Sequence, residues 1–267
     1  MDTRYGRVKW GINGTRSKTK TWNDPVKWNR EAITTGVKKK VFCASLADVF
    51  EDFHGSIMAP NSKDVLWRDR HGRYDEAEAS GFRPYEIATI DLLREDLFKL
   101  IDCCQDLYWL LLTKRPENIK RMWPDAEGRE NVWLGTSIAN QKNADEYVDR
   151  LLESKNKSPV LWLSLEPQIS FVDLKPWLHP EPLIHWVIVG GESRQGRNPR
   201  PFHVEWAADV VEQCHSANIP CFVKQLGSNV WRHKRKIILS NSHGDVMSEW
   251  PEHVRVRECP EMFHATM

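Results

Sequence analysis

Val160-Leu161-Trp162-Leu163-Ser164, followed closely by Glu166, is a short apolar run without polar alternation that ends in polar and charged residues. A strand that is hydrophobic on both faces belongs in a parallel sheet covered by helices. The pattern occurs six times, the other runs being 41–45, 108–113, 132–136, 186–190 and 221–224. Four of the runs place a tryptophan at a similar point, namely Trp109, Trp133, Trp162 and Trp186. Space-filling between strands and helices is the expected role of these indoles.

Segments of helical period lie between the runs. Asp24-Pro25 reads as a cap followed by a first-turn proline, with Val26, Ile33 and the stop at Gly36 completing a short helix. Pro84 is expected to open a longer helix with Ile87, Ile90, Leu93, Leu97, Leu100 and Ile101 at spacings of three and four. Ala144, Tyr147, Val148, Leu151 and Leu152 mark a third amphipathic face, and Trp206, Val210, Val211 and Cys214 a fourth. Strand and helix therefore alternate, as in βα units joined by right-handed crossovers. No strand is followed by a GxGxxG or GxxxxGK loop, which removes the usual signature of nucleotide-binding doubly wound sheets. The expected fold is α/β, a partial, open TIM-like βα barrel of about six parallel strands.

The boundaries expected from this pattern are a basic N-terminal arm over 1–23, a barrel core over 24–227 and an appendage over 228–267. A polar stretch over about 54–83 is too long for an ordinary βα loop and reads as a surface insertion. Pro176, Pro180 and Pro182 leave room for only a short helical piece before the fifth run.

An apolar content of 40% with 28% charged residues over 267 positions suits one α/β domain. Neither a membrane-spanning stretch nor an N-terminal apolar signal is present, so a cytoplasmic protein without membrane attachment is expected. The six cysteines are scattered with no CxxC pair and read as reduced thiols. A net charge of +1 excludes a globally basic nucleic-acid binder. The charge is nonetheless uneven: residues 1–40 carry eleven Lys or Arg against three acids, and Arg232-His233-Lys234-Arg235-Lys236 form a second basic run. Both the arm and Arg232, Lys234, Arg235 and Lys236 are candidates for phosphate contact.

Chemistry in a βα barrel sits at the C-terminal strand ends, where loops converge over a rigid core. Those ends carry Ser45 and Asp48; Thr113, Lys114 and Arg115; Thr136 and Ser137; Glu166; Gly190, Gly191 and Glu192; and Lys224 and Gln225. Charges of both signs at one mouth need partners or a ligand. Glu166 and Glu192 are the candidate acid/base or amine-binding groups, with Lys114 and Lys224 as binders of anions. Ser45, Asp48, Thr113, Thr136, Ser137, Gly190 and Gly191 would complete a ligand site, the glycines by letting a ligand approach the backbone. No metal ligand set is expected.

The segments WNDPVKWNREA (22–32), VFCASLADVFED (41–52), WLLLTKRPENIKRM (109–122), NVWLGTSIANQ (131–141), LSLEP (163–167), WVIVGGES (186–193) and FVKQLG (222–227) carry a family resemblance. Together they resemble a bacteriophage and bacterial family of unknown function described by a three-cysteine motif. The resemblance implies a radical-SAM-like barrel, with three cysteines holding an iron-sulfur cluster and S-adenosylmethionine bound as cofactor. This chain departs from the pattern: no cysteine precedes Asp24, and the first, Cys43, lies within a strand run. Either the chain starts beyond the motif or the cluster has been lost, and in both cases no iron-sulfur cluster is expected on it. A missing family strand would leave the barrel edge open to a protein partner.

The leading expectation is thus a radical-SAM-like barrel of unknown substrate, deficient in its cluster. A cluster-free accessory protein that binds a nucleotide, nucleic acid or protein partner is the alternative. An acid/base hydrolase using Glu166 and Glu192 is a third.

Overall fold

The computed structural model describes residues 14–43, 47–60, 64–75, 85–193 and 198–261. The chain divides into two compact units, one formed by residues up to 42 with 51–109, the other by 43–50 with 110 onward.

The first unit starts with β1 (Arg16–Ser17), α1 (Asp24–Thr35) and β2 (Lys39–Cys43). Helix α1 begins with Asp24 and Pro25 in its first turn, the cap position being Asn23, and ends where Gly36 turns left-handed at φ 67°. There follow β3 (Ile57–Met58), β4 (Trp67–Asp69), β5 (Tyr74–Asp75), β6 (Tyr85–Ile87) and α2 (Ile90–Cys103). Much of the stretch expected as a surface insertion is thus built structure, although 61–63 and 76–84 lie outside the described residues. β4 pairs antiparallel with β5 and β6. Ile57, Ala59, Leu66 and Ala88 form a small core beneath them, flanked by Phe53, Tyr74, Ile90 and Leu93.

The second helix corrects an expectation. Ile87 belongs to β6, opposite Trp67, and the helix starts at Ile90 with the Thr89 hydroxyl accepting from the Leu92 N–H. Its spacing from Ile90 mimicked a helical turn, but sheet pairing took its backbone.

Beyond α2 come β7 (Leu107–Thr113), α3 (Ile119–Met122), β8 (Val132–Ser137), α4 (Gln141–Leu152), β9 (Val160–Leu165), α5 (Lys175–Leu178) and β10 (Trp186–Gly190). The chain continues through β11 (Phe202–His203), α6 (Val204–Ser216), β12 (Cys221–Gln225), β13 (Val230–Arg232) and β14 (Arg235–Ile237). Six strands, one from each apolar run, form a single sheet in the order β12-β10-β9-β8-β7-β2. It is an α/β arrangement of parallel strands curled into an open half-barrel, with helices alternating along the chain. Among the described residues no helix is long and apolar enough to cross a membrane.

The C-terminal segment completes the β12 edge. Val223 N–H donates to the Val256 carbonyl at 2.8 Å, Glu258 N–H to the Cys221 carbonyl at 2.8 Å, and Phe222 bridges antiparallel to Arg257. Backbone groups at that edge are therefore paired rather than offered to another chain. β11, β13 and β14 form a separate three-stranded sheet, so residues expected as an appendage carry regular structure.

Candidate functional site

Register fixes which side chains share a face. Gly135 pairs with Trp162 and Trp162 with Trp186; one pleat further along, Ser137 pairs with Ser164 and Ser164 with Ile188. Because strand side chains alternate, Trp133, Gly135 and Ser137 share one face with Trp162 and Ser164, and with Trp186, Ile188 and Gly190. The opposite face is aliphatic, with Leu134, Leu161, Leu163, Val187, Val189 and Val223 all buried. This side meets α6, where the thiols of Cys214 and Cys221 interact; that hydrogen bond, together with burial, pushes the Cys221 thiol well up.

The face turned away from α6 is graded along the strands. Near their N-terminal ends Trp133, Trp162 and Trp186 pack on one another, with ring centroids 6.0 Å apart for Trp133–Trp186 and 5.7 Å for Trp162–Trp186. Gly135 makes room for them, since a Cβ there would fall inside the Trp162 indole. Trp162 donates its ring N–H to the Trp133 carbonyl at 3.2 Å and Trp186 to the Glu258 carbonyl at 2.9 Å, so these two buried indoles are hydrogen-bonded. This is the packing role expected of the repeated tryptophans. Toward the C-terminal ends the face becomes small and polar.

There Glu166, one residue beyond β9, meets Lys224 of β12, with Nζ 3.1 Å from one carboxylate oxygen and 3.4 Å from the other. The Ser164 hydroxyl donates to Glu166 at 3.3 Å. Gly190 lies directly alongside, where a Cβ would come within 2.8 Å of Glu166 Oε1. Glu166 is 19% exposed and Lys224 55%. A carboxylate held in a half-buried cradle beside a mostly solvated ammonium can accept from a ligand amine, while the lysine can turn to a ligand anion at little cost, since such a pair contributes only about 0–1 kcal/mol.

Glu192 is engaged differently. Its carboxylate accepts from Arg200 Nε at 2.7 Å and from the Arg200 backbone N–H at 3.1 Å. Glu166 and Glu192 therefore each have a cation of their own. Gln225 donates to the Gly191 carbonyl at 3.0 Å and to the Ser193 hydroxyl at 2.8 Å. Gly191 itself is packed against the Leu226 carbonyl, which a Cβ at that position would approach to 2.0 Å.

On β7 the expected residues form an internal knot. Asp48 accepts from the Thr113 hydroxyl at 2.7 Å, from the Lys114 and Phe50 backbone N–H groups at 3.0 Å, and from Arg115 Nη1 at 2.9 Å. Thr136 is buried and donates to the Thr113 carbonyl at 3.0 Å. Thr113 and Thr136 thus spend their hydroxyls within the protein, while the Lys114 side chain stands exposed. Ser137 is half-buried next to Ser164, and Ser45 lies outside the described residues. The sequence reading missed Ser164 and Arg200. Ser164 was accessible in principle, two residues before Glu166 and so on its face; Arg200 meets Glu192 across a loop, which periodicity does not reach.

The donor chemistry does not fit an iron-sulfur cluster. Among the described residues no group of three or more His, Cys, Asp or Glu side chains is gathered so that it could hold a metal. A cluster needs several thiolates brought together, and the six free cysteines form no such group. The Glu166–Lys224 cradle places an acceptor, a cation and a hydroxyl on one face.

Neither the curated proteins nor the solved structures contain a match to this chain. One family model does match, over residues 85–259, from β6 through the segment that closes the β12 edge. That match takes in most of the chain, including every strand-end residue from Thr113 to Lys224, and the chain belongs to the family described as Protein of unknown function (DUF5131).

Proposed function

We propose that the half-barrel is a radical-SAM-like scaffold that binds a small zwitterionic ligand at its C-terminal strand ends without a cluster of its own. The observation that carries this reading is the Glu166–Lys224 pair held beside Gly190. In this reading Glu166 accepts from the ligand's ammonium and Lys224 holds its carboxylate. Ser164 keeps the Glu166 carboxylate in place, and Ser137 offers a second hydroxyl on the same face. The resemblance to the three-cysteine family makes S-adenosylmethionine the first ligand to test. When bound, it supplies a sulfonium centre activated toward cleavage or transfer of its carbon substituents.

Isothermal titration of the protein with S-adenosylmethionine tests the proposal. Saturable binding is expected, weakened at least about tenfold in Glu166→Gln, as loss of one charge-assisted contact implies. Absence of binding, or equal affinity in the folded Glu166→Gln variant, overturns it.

A further inference from the structure

The β13–β14 hairpin gathers an unusual amount of positive charge. Its register sets Arg232 opposite Arg235, Trp231 opposite Lys236 and Val230 opposite Ile237. The turn consists of His233 and Lys234, both left-handed at φ 48° and 64°, the two-residue geometry that ordinarily selects Asn-Gly. Arg232, His233, Lys234, Arg235 and Lys236 are all exposed. Glu205 engages only His233, through the backbone N–H at 2.7 Å and the imidazole at 3.2 Å. Among the described residues the other four have no ion-pair partner. Two side-chain-bearing residues in left-handed conformation and two arginines face to face both work against the stability of the hairpin.

The other face of the ribbon is aromatic. β11 runs parallel to β13 and sets His203 in register with Trp231. Their rings stack with centroids 6.4 Å apart and planes at 25°. His203, Trp231 and Lys236 thus form a row across three strands, with Trp231 half-buried and Lys236 exposed.

We propose that this hairpin is a nucleic-acid-binding ribbon with cations on both faces and at its tip: Lys236 beside Trp231 on one face, Arg232 with Arg235 on the other and Lys234 at the turn neutralise the backbone phosphates that flank the ribbon, while the Trp231 ring lies against a base. A two-stranded ribbon has the width of a nucleic-acid groove, and an aromatic residue among cations is the pattern that tracks a strand by stacking and charge together. A lipid surface is the poorer fit, because the hairpin's one strongly exposed aliphatic neighbour is Ile238.

The test is fluorescence anisotropy of the full chain with a labelled oligonucleotide of roughly 20 residues, as single strand and as duplex, between about 50 and 200 mM salt. Binding of one or both is expected. The triple variant R232Q/R235Q/K236Q should lose at least about tenfold in affinity and flatten the log–log salt dependence by about 2 to 3, one phosphate contact per removed charge. Arg235→Glu separates recognition from folding. It turns a like-charge pair into an opposite-charge one, so binding should weaken while the denaturation midpoint holds or rises. Failure of both oligonucleotides to bind at the lowest salt, full binding by the triple variant, or capture by anionic vesicles alone overturns the proposal.

Discussion

At the scale of single residues, packing on the sheet's graded face has consequences that can be measured. Gly135→Ala puts a methyl group into the Trp162 indole, and a loss of about 1–3 kcal/mol is expected from overpacking, read as a lower urea midpoint with unchanged slope. Gly190→Ala is a sharper probe of the site, because the atom it meets is the Glu166 carboxylate. It should move that group off its cradle and weaken the proposed binding of S-adenosylmethionine at least about tenfold with a smaller cost in stability. Unaltered affinity in this variant would count against Glu166 as a ligand contact. His185 sets a pH dependence. Its Nδ1 accepts from the Leu161 N–H at 3.0 Å, and burial lowers its pKa from 6.5. The unfolded chain therefore binds a proton that the folded site resists, so the stability tied to this neutral imidazole is complete above about pH 6.5 and declines as the pH falls below it. Urea melts across this range should show the decline, and His185→Gln should flatten it. These individual roles were only partly legible beforehand: Glu166, Lys224 and Gly190 stood out as charged or small residues at strand ends, but that Glu166 would choose Lys224 and Glu192 would choose Arg200 did not.

At the scale of elements, the six apolar runs corresponded to the six strands of the main sheet because near-continuous hydrophobicity over four to six residues has few other uses when helices flank it on both sides. Helix α1 was equally readable, as its proline start and glycine stop are local backbone chemistry. The failures were at short strands. β3 to β6 contain two or three residues each, too few for alternation to register, and their stability comes from pairing partners and the Ile57–Leu66 core. The closure of β12 by the C-terminal segment was likewise hidden, because Val256-Arg257-Glu258 has no strand pattern of its own. Glu258→Pro removes the N–H that bonds to Cys221 and the carboxylate that accepts from the Cys221 N–H at 3.0 Å. A loss of about 2–4 kcal/mol in denaturant melts is expected.

At the scale of the molecule, the central strands should be the last to open. β8, β9 and β10 have neighbours on both sides and buried residues on both faces, whereas β2 ends the sheet with Phe42 exposed. Hydrogen exchange followed by mass spectrometry should show the slowest amides in β8–β10 and faster exchange in β2; equal rates across the sheet would contradict this. By itself the sequence determined the α/β class, the parallel character of the sheet, the alternation of helix and strand, and the strand ends as the place where polar groups gather. These follow from periodicity and from local turn chemistry, which act over a few residues. Only the tertiary structure decided which groups meet. Glu166 and Lys224 are 58 positions apart, and Asp48 and Thr113 are 65 apart. Alternation tells which face a side chain occupies, but strand order and register tell which neighbour it finds, and those are set by the packing of the whole sheet against its helices.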